Sequence, residues 1–159
     1  NSYFIPDLSY AYLAGFTEET LKFAAIYFYI RKKTDFDEPM DAIVYGTLIS
    51  LGFATLENFQ YVYSAGNPDF IATLRAFTAI PLHACCGIIM GYYFGLYIFK
   101  DRNRLNLFKS LFLAIAFHAS YNYFATRNVL LMFFVLIVLI MFAKKLHKLL
   151  KAEQLSKQS

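Results

Sequence analysis

The chain has 159 residues, of which 58% are hydrophobic, with 18 Phe and 13 Tyr but no Trp, and a formal charge of +4. That apolar share, with a mean hydropathy of +0.44, excludes an ordinary soluble domain and fits a single membrane domain. The basic residues lie in short groups beside apolar runs, which points to a lipid bilayer and away from a nucleic-acid partner.

Five apolar segments are predicted, so the fold class expected is all-α, a polytopic transmembrane helix bundle. The first covers about residues 8–30 and stops at Arg31-Lys32-Lys33 and an acidic turn, Asp35 to Glu38. It holds Glu18, Glu19 and Lys22 in mid-run, where an ionised group costs a helix roughly 2.5–3.5 kcal/mol on insertion scales. Pairing Lys22 with one glutamate four or three residues away explains that one and leaves the other without a reason. The second segment covers about 40–63 and ends at a turn in which Asn67 is a candidate N-cap and Pro68 a first helical residue.

The third segment, about 68–99, is too long for one straight span; Pro81 is expected to divide it, leaving the part around Arg75 at the interface. Cys85 and Cys86 within it read as small packing residues. The fourth covers about 105–125, and Thr126-Arg127-Asn128 turns it into the fifth, an uninterrupted apolar run over 129–143 that faces lipid over much of its surface. A basic, polar tail follows. The division expected is one membrane-embedded domain, 1–150, and a cytoplasmic tail, 151–159. Asn1 stands where an initiator Met would, and no signal-peptide pattern follows, so missing upstream sequence is expected.

Lys and Arg cluster after segments one and three and in the tail, whereas the opposite side has only Arg75 and Arg127. The positive-inside rule then predicts a multi-pass cell-membrane protein with a cytoplasmic C-terminus. On this reading Glu18 and Glu19, Glu57 and Asn58, His83, and His118 with Asn122 all fall in the outer half of the bilayer, on four different helices. His83 tops a stripe of Gly87, Gly91 and Gly95, and Gly46, Ser50, Ala54 and Asn58 make a similar stripe on segment two. Such stripes let helix backbones approach, so these polar residues face protein. Carboxylates beside imidazoles in a low-dielectric pocket are what water activation requires. An ion- or proton-coupled transporter would also line a cavity with Glu, His and Lys, and a non-catalytic immunity or scaffold protein could keep such a site for binding.

Glu18-Glu19-x-x-Lys22, Gly52-Phe53-Ala54-x-x-Glu57-Asn58, Arg75 through His83 to Gly91, and His118-x-x-x-Asn122 occur in this order. Together they resemble the PrsW family of intramembrane proteases, which is distantly similar to CAAX prenyl proteases and bacteriocin-immunity proteins. The resemblance implies cleavage of a membrane-anchored protein, typically an anti-sigma factor, near its extracytoplasmic membrane boundary. It also implies roles: the Glu18/Glu19 pair as general base assisted by His83, and His118 and Asn122 steadying an oxyanion. Glu57 would be a second acid or water-positioning group, and Lys22 and Arg75 would balance charge.

On metal the sequence permits two mechanisms. His83, His118 and Glu57 make a plausible zinc set, and the family has been described as a metalloprotease. Against this, the histidines lie on different segments, no His-Glu-x-x-His occurs, and Asn122 is a poor zinc ligand. Paired carboxylates beside a His can activate water unaided, so no cofactor is favoured and zinc stays the alternative.

Overall fold

The computed structural model describes residues 8–158, all helical apart from the connections, with no strand among them. The first helix, α1 (Leu8–Ala24), continues through a π-helical turn (Ala25–Tyr29) and a 3-10 turn (Ile30–Lys32). Then come α2 (Pro39–Tyr63), α3 (Pro68–Phe77), α4 (Ala79–Leu96, followed by a π-helical turn, Tyr97–Asp101), α5 (Arg104–Ala125) and α6 (Val129–Gln158). Three stretches, Pro39–Tyr63, Pro68–Asp101 and Val129–Ser156, are long and apolar enough to cross a membrane. Polar groups lower the hydropathy of α1 and α5, and among them Glu19, Lys22, Ser110 and His118 are buried in the bundle interior.

Local signals set the helix starts. Pro39 opens α2 behind a reciprocal cap in which the Glu38 backbone N–H donates to the Asp41 carboxylate at 2.9 Å. The expected cap of α3 is present, with Asn67 Oδ1 accepting from Phe70 N at 3.2 Å and Pro68 following. Asn103 and Asn128 cap α5 and α6 in the same way.

The division of the third segment falls at Thr78, three residues ahead of Pro81. The reason is the proline's ring, which conflicts with the carbonyl four residues earlier, that of Phe77, the last residue of α3. Pro81 itself sits in the first turn of α4, where its missing N–H is harmless. The polar tail is helical as well, because α6 continues through it to Gln158 without a break. Leu146 and Leu150 stay buried along that extension, and Glu153 pairs with Lys100, so the tail docks on the bundle.

Helix α4 is the centre of the bundle, packed against α2, α5 and α6. The two small-residue stripes face one another. A Cβ added at Gly87 would lie 2.6 Å from Gly46 O and 2.7 Å from Thr47 Cα, so only glycine permits this approach. On the other side Ser110 Oγ donates to Met90 O at 2.7 Å, tying α5 to α4. Helix α1 approaches α5 at Gly15, where a Cβ would meet the Ala119 backbone at 3.0 Å. Ile26, Ile89, Met90, Phe94 and Leu139 form the centre of the apolar core, and Cys85 and Cys86 are buried free thiols. One face of α6 packs through Met132, Leu136, Leu139 and Ala143 while Leu130, Phe134 and Met141 stay exposed, as expected for a lipid-facing helix.

Candidate active site

The close approach of α2 to α4 and of α1 to α5 brings the polar residues of four helices together. Glu19, Lys22, His83 and His118 are each at most 1% exposed. Lys22 Nζ lies 2.7 Å from Glu19 Oε1 and 2.8 Å from His83 Nδ1. His118 Nδ1 lies 2.7 Å from the same Glu19 oxygen, and the two imidazole rings stand nearly perpendicular, 4.9 Å apart. His83 Nε2 lies 2.9 Å from Glu57 Oε2, which also accepts from Arg75 Nη2 at 2.7 Å. Arg75 Nε donates to Asn58 Oδ1 at 2.5 Å. One unbroken chain of polar contacts thus runs from Arg75 on α3 through Glu57, His83, Lys22 and Glu19 to His118.

Donor and acceptor inventories fix much of the proton arrangement. An ammonium has no lone pair, so Lys22 donates and His83 Nδ1 accepts. The proton of neutral His83 is then on Nε2, where it is donated to Glu57. Glu19, between an ammonium and a ring nitrogen, is a carboxylate that accepts from both; His118 therefore carries its proton on Nδ1 and keeps its lone pair on Nε2. Counting three carboxylates against Lys22 and Arg75 leaves one negative charge with both imidazoles neutral. One added proton neutralises the cluster.

The two adjacent glutamates differ in environment because neighbouring helix positions point about 100° apart. Glu19 is enclosed, whereas the Glu18 side chain is 23% exposed and lies 3.8 Å from Lys22. Glu18 lines a cavity of about 320 Å³ with Glu57, Gln60, Tyr61 and Ser64. Tyr61 also carries the Arg75 guanidinium on its ring at 4.0 Å. Gln60, Tyr61 and Ser64 are not among the candidate residues singled out from the sequence. Their signal was the spacing from Glu57, four residues to Tyr61 and seven to Ser64, which puts them on one helix face. Asn122 lies one turn beyond His118 on α5 and makes no side-chain hydrogen bond among the described residues.

Glu18, His83 and His118 bring one donor atom each within 4.8 Å of one another, a possible metal site. Glu57, the carboxylate expected in that set, is engaged by Arg75 and His83 instead. Two imidazoles and a carboxylate are a donor set zinc uses. In this arrangement, however, the one lone pair of His83 is held by Lys22 and its N–H by Glu57. Of these three residues only Glu18 and His118 have lone pairs to offer, so the set as arranged does not fit a three-ligand ion.

Fold and cluster define a polytopic helical membrane protein with a carboxylate–imidazole site buried among its spans. A sequence model described as PrsW family intramembrane metalloprotease matches residues 3–144, and the chain belongs to this family. It is 40% identical to a Protease PrsW of Geobacillus kaustophilus over 111 residues, covering 69% of this chain and 48% of that protein. A Bacillus subtilis Protease PrsW is 39% identical over 127 residues, covering 79% and 56% respectively. One from Halalkalibacterium halodurans is 36% identical over 118 residues, covering 74% and 54%. The chain spans about half the length of these curated relatives. No solved structure matches.

Proposed function

We propose that this chain forms the catalytic domain, residues 1–150, of an intramembrane endopeptidase, with 151–159 as its cytoplasmic tail. Its substrate is a membrane-anchored protein, such as an anti-sigma factor, cut near its extracytoplasmic boundary. The observation that carries this reading is the partly exposed Glu18 in a cavity wall, backed by a fully buried Glu19–His118 and Lys22–His83 network. Family membership supports it, and the Lys/Arg distribution is consistent with a cavity in the outer half of the bilayer.

In the reaction, a water between Glu18 and His118 attacks the scissile carbonyl carbon. Glu18 takes one water proton as the C–O bond forms. His118, held by Glu19, accepts a hydrogen bond from the same water through Nε2 and keeps it aligned. The developing oxyanion is met by the free amide of Asn122, while His83, which Lys22 keeps in its donor tautomer, spends its Nε2–H on Glu57 and holds that carboxylate at the cavity. The proton on Glu18 passes to the leaving nitrogen as the C–N bond breaks, giving an amine and a carboxylic acid, which ionises by releasing the second water proton to solvent. Lys22 and Arg75 hold Glu19 and Glu57 ionised without entering the chemistry. Compared with the roles drawn from the resemblance, the hydrogen bonds favour His83 as donor and His118 as acceptor.

The donor inventory favours a metal-free mechanism. The test is purified full-length protein with a single-span substrate in water enriched in ¹⁸O, with and without o-phenanthroline. The expected result is one ¹⁸O in the new carboxyl end, a cut near the outer boundary, and turnover indifferent to chelator. Chelator-sensitive turnover restored by zinc would instead assign Glu18, His83 and His118 to an ion, with Lys22 displaced. The absence of any cut would remove the protease reading.

A further inference from the structure

Away from this cluster, α1 and α5 leave a second cavity of about 610 Å³ between them. Its walls are apolar, with Phe16 and Phe23 on α1 and Leu111, Phe112 and Ile115 on α5, and its one cation among the described residues is Arg104 at the end rich in Lys and Arg. Phe16 and Phe112 are 52% and 51% exposed, so the groove is open at its side. We infer that this groove holds one acyl chain of an anionic glycerophospholipid, with the lipid phosphate on Arg104.

Three observations select this occupant. First, Arg104 has no carboxylate within 4.0 Å among the described residues. The nearby Asp101 carboxylate is already engaged by Asn103 N at 2.9 Å and Asn106 Nδ2 at 3.0 Å. Arg104 is also the first residue of a 22-residue helix, where the aligned peptide dipoles add positive potential, so an anion is favoured there and a cation is not. Second, the groove runs from Arg104 to Ile115, about 16 Å at 1.5 Å per residue. That is about half of the ~30 Å hydrocarbon core, the depth of one leaflet, whereas a transmembrane helix needs the whole thickness. Third, a partner helix crossing in the same leaflet would carry its own Lys and Arg at that end by the positive-inside rule and repel Arg104. A phosphate at the leaflet surface is attracted.

This site is separate from the proposed reaction and does not depend on it. The test is native mass spectrometry of the full-length protein in mild detergent, titrated with phosphatidylglycerol or phosphatidylcholine of identical chains. The expected result is one retained phosphatidylglycerol, held about fivefold more tightly than phosphatidylcholine, the factor one basic side chain contributes against anionic headgroups. Arg104→Gln should abolish that preference and Arg104→Lys keep it; Arg104 is exposed, so neither threatens the fold. Leu111→Trp, which fills the groove, should weaken both lipids. Equal retention of the two lipids, or an Arg104→Gln variant that keeps the preference, would overturn the assignment. So would a photoreactive residue at Phe112 whose main adduct is a polypeptide, which would give the groove to a helix.

Discussion

Gly87→Ala and Gly52→Ala add the same methyl group to two helices of the bundle and should act in opposite directions. At Gly87 the new carbon would meet backbone atoms of α2, 2.6 Å from Gly46 O and 2.7 Å from Thr47 Cα. Ordinary contact begins at 3.4 Å, so α2 must retreat by about 0.8 Å, and no side chain can give way in its place. Overpacking of this kind costs about 1–3 kcal/mol. The retreat also separates Glu57 on α2 from His83 on α4, one turn from the substituted glycine, and stretches their 2.9 Å contact. At Gly52 nothing lies within 4 Å. There Ala removes only the helix penalty of glycine, a gain of about 0.5–1 kcal/mol. The assay is thermal unfolding in detergent beside cleavage of a single-span substrate. Gly87→Ala should lower both stability and rate, and Gly52→Ala should lower neither. A Gly87→Ala protein as stable and active as Gly52→Ala would refute the packing of α2 on α4 described above.

Replacing Lys22 by Met leaves Glu19 charged and enclosed, which for a broken buried pair costs about 3–5 kcal/mol. The double variant Lys22→Met/Glu19→Gln should recover part of that loss, and strictly additive single effects in the cycle would contradict the pairing. Asn67→Ala removes the α3 cap and should lower stability by about 1 kcal/mol in denaturant or thermal titration. In a cysteine-free background, a Cys at Asn67 should react with an impermeant thiol reagent in intact cells and a Cys at Asn103 should not; the reverse pattern would place the cavity on the cytoplasmic side.

Much of this arrangement is legible in the sequence, for physical reasons that differ by element. Asn67-Pro68 reveals a helix start because cap and proline act through local backbone geometry alone. The glycine stripes reveal inward faces because a four-residue repeat stays on one side of a helix. Pro81 shows that a break occurs but not where, since the clash acts one turn upstream, at Phe77. The tail reads as polar, yet it remains helical because Leu146 and Leu150 continue the buried stripe of α6. What spacing does not give is rotation about a helix axis. Hence Glu18 and Glu19 are indistinguishable as letters, and only packing encloses one and exposes the other. The same limit hides the His83 tautomer, which depends on Lys22 reaching across from another helix.

The account rests most directly on Glu18 being the group that meets water, with Glu19 as its buried support. The decisive measurement compares Glu18→Gln, Glu19→Gln and wild type for single-turnover cleavage and for thermal stability in the same detergent. Glu18→Gln should slow cleavage by about 10²–10⁴-fold, the contribution of a positioned general base, while unfolding at the wild-type temperature. Glu19→Gln should lose stability as well as rate, because it strips a buried ammonium of its partner. A Glu18→Gln protein that cleaves at the wild-type rate would contradict the assignment of the base.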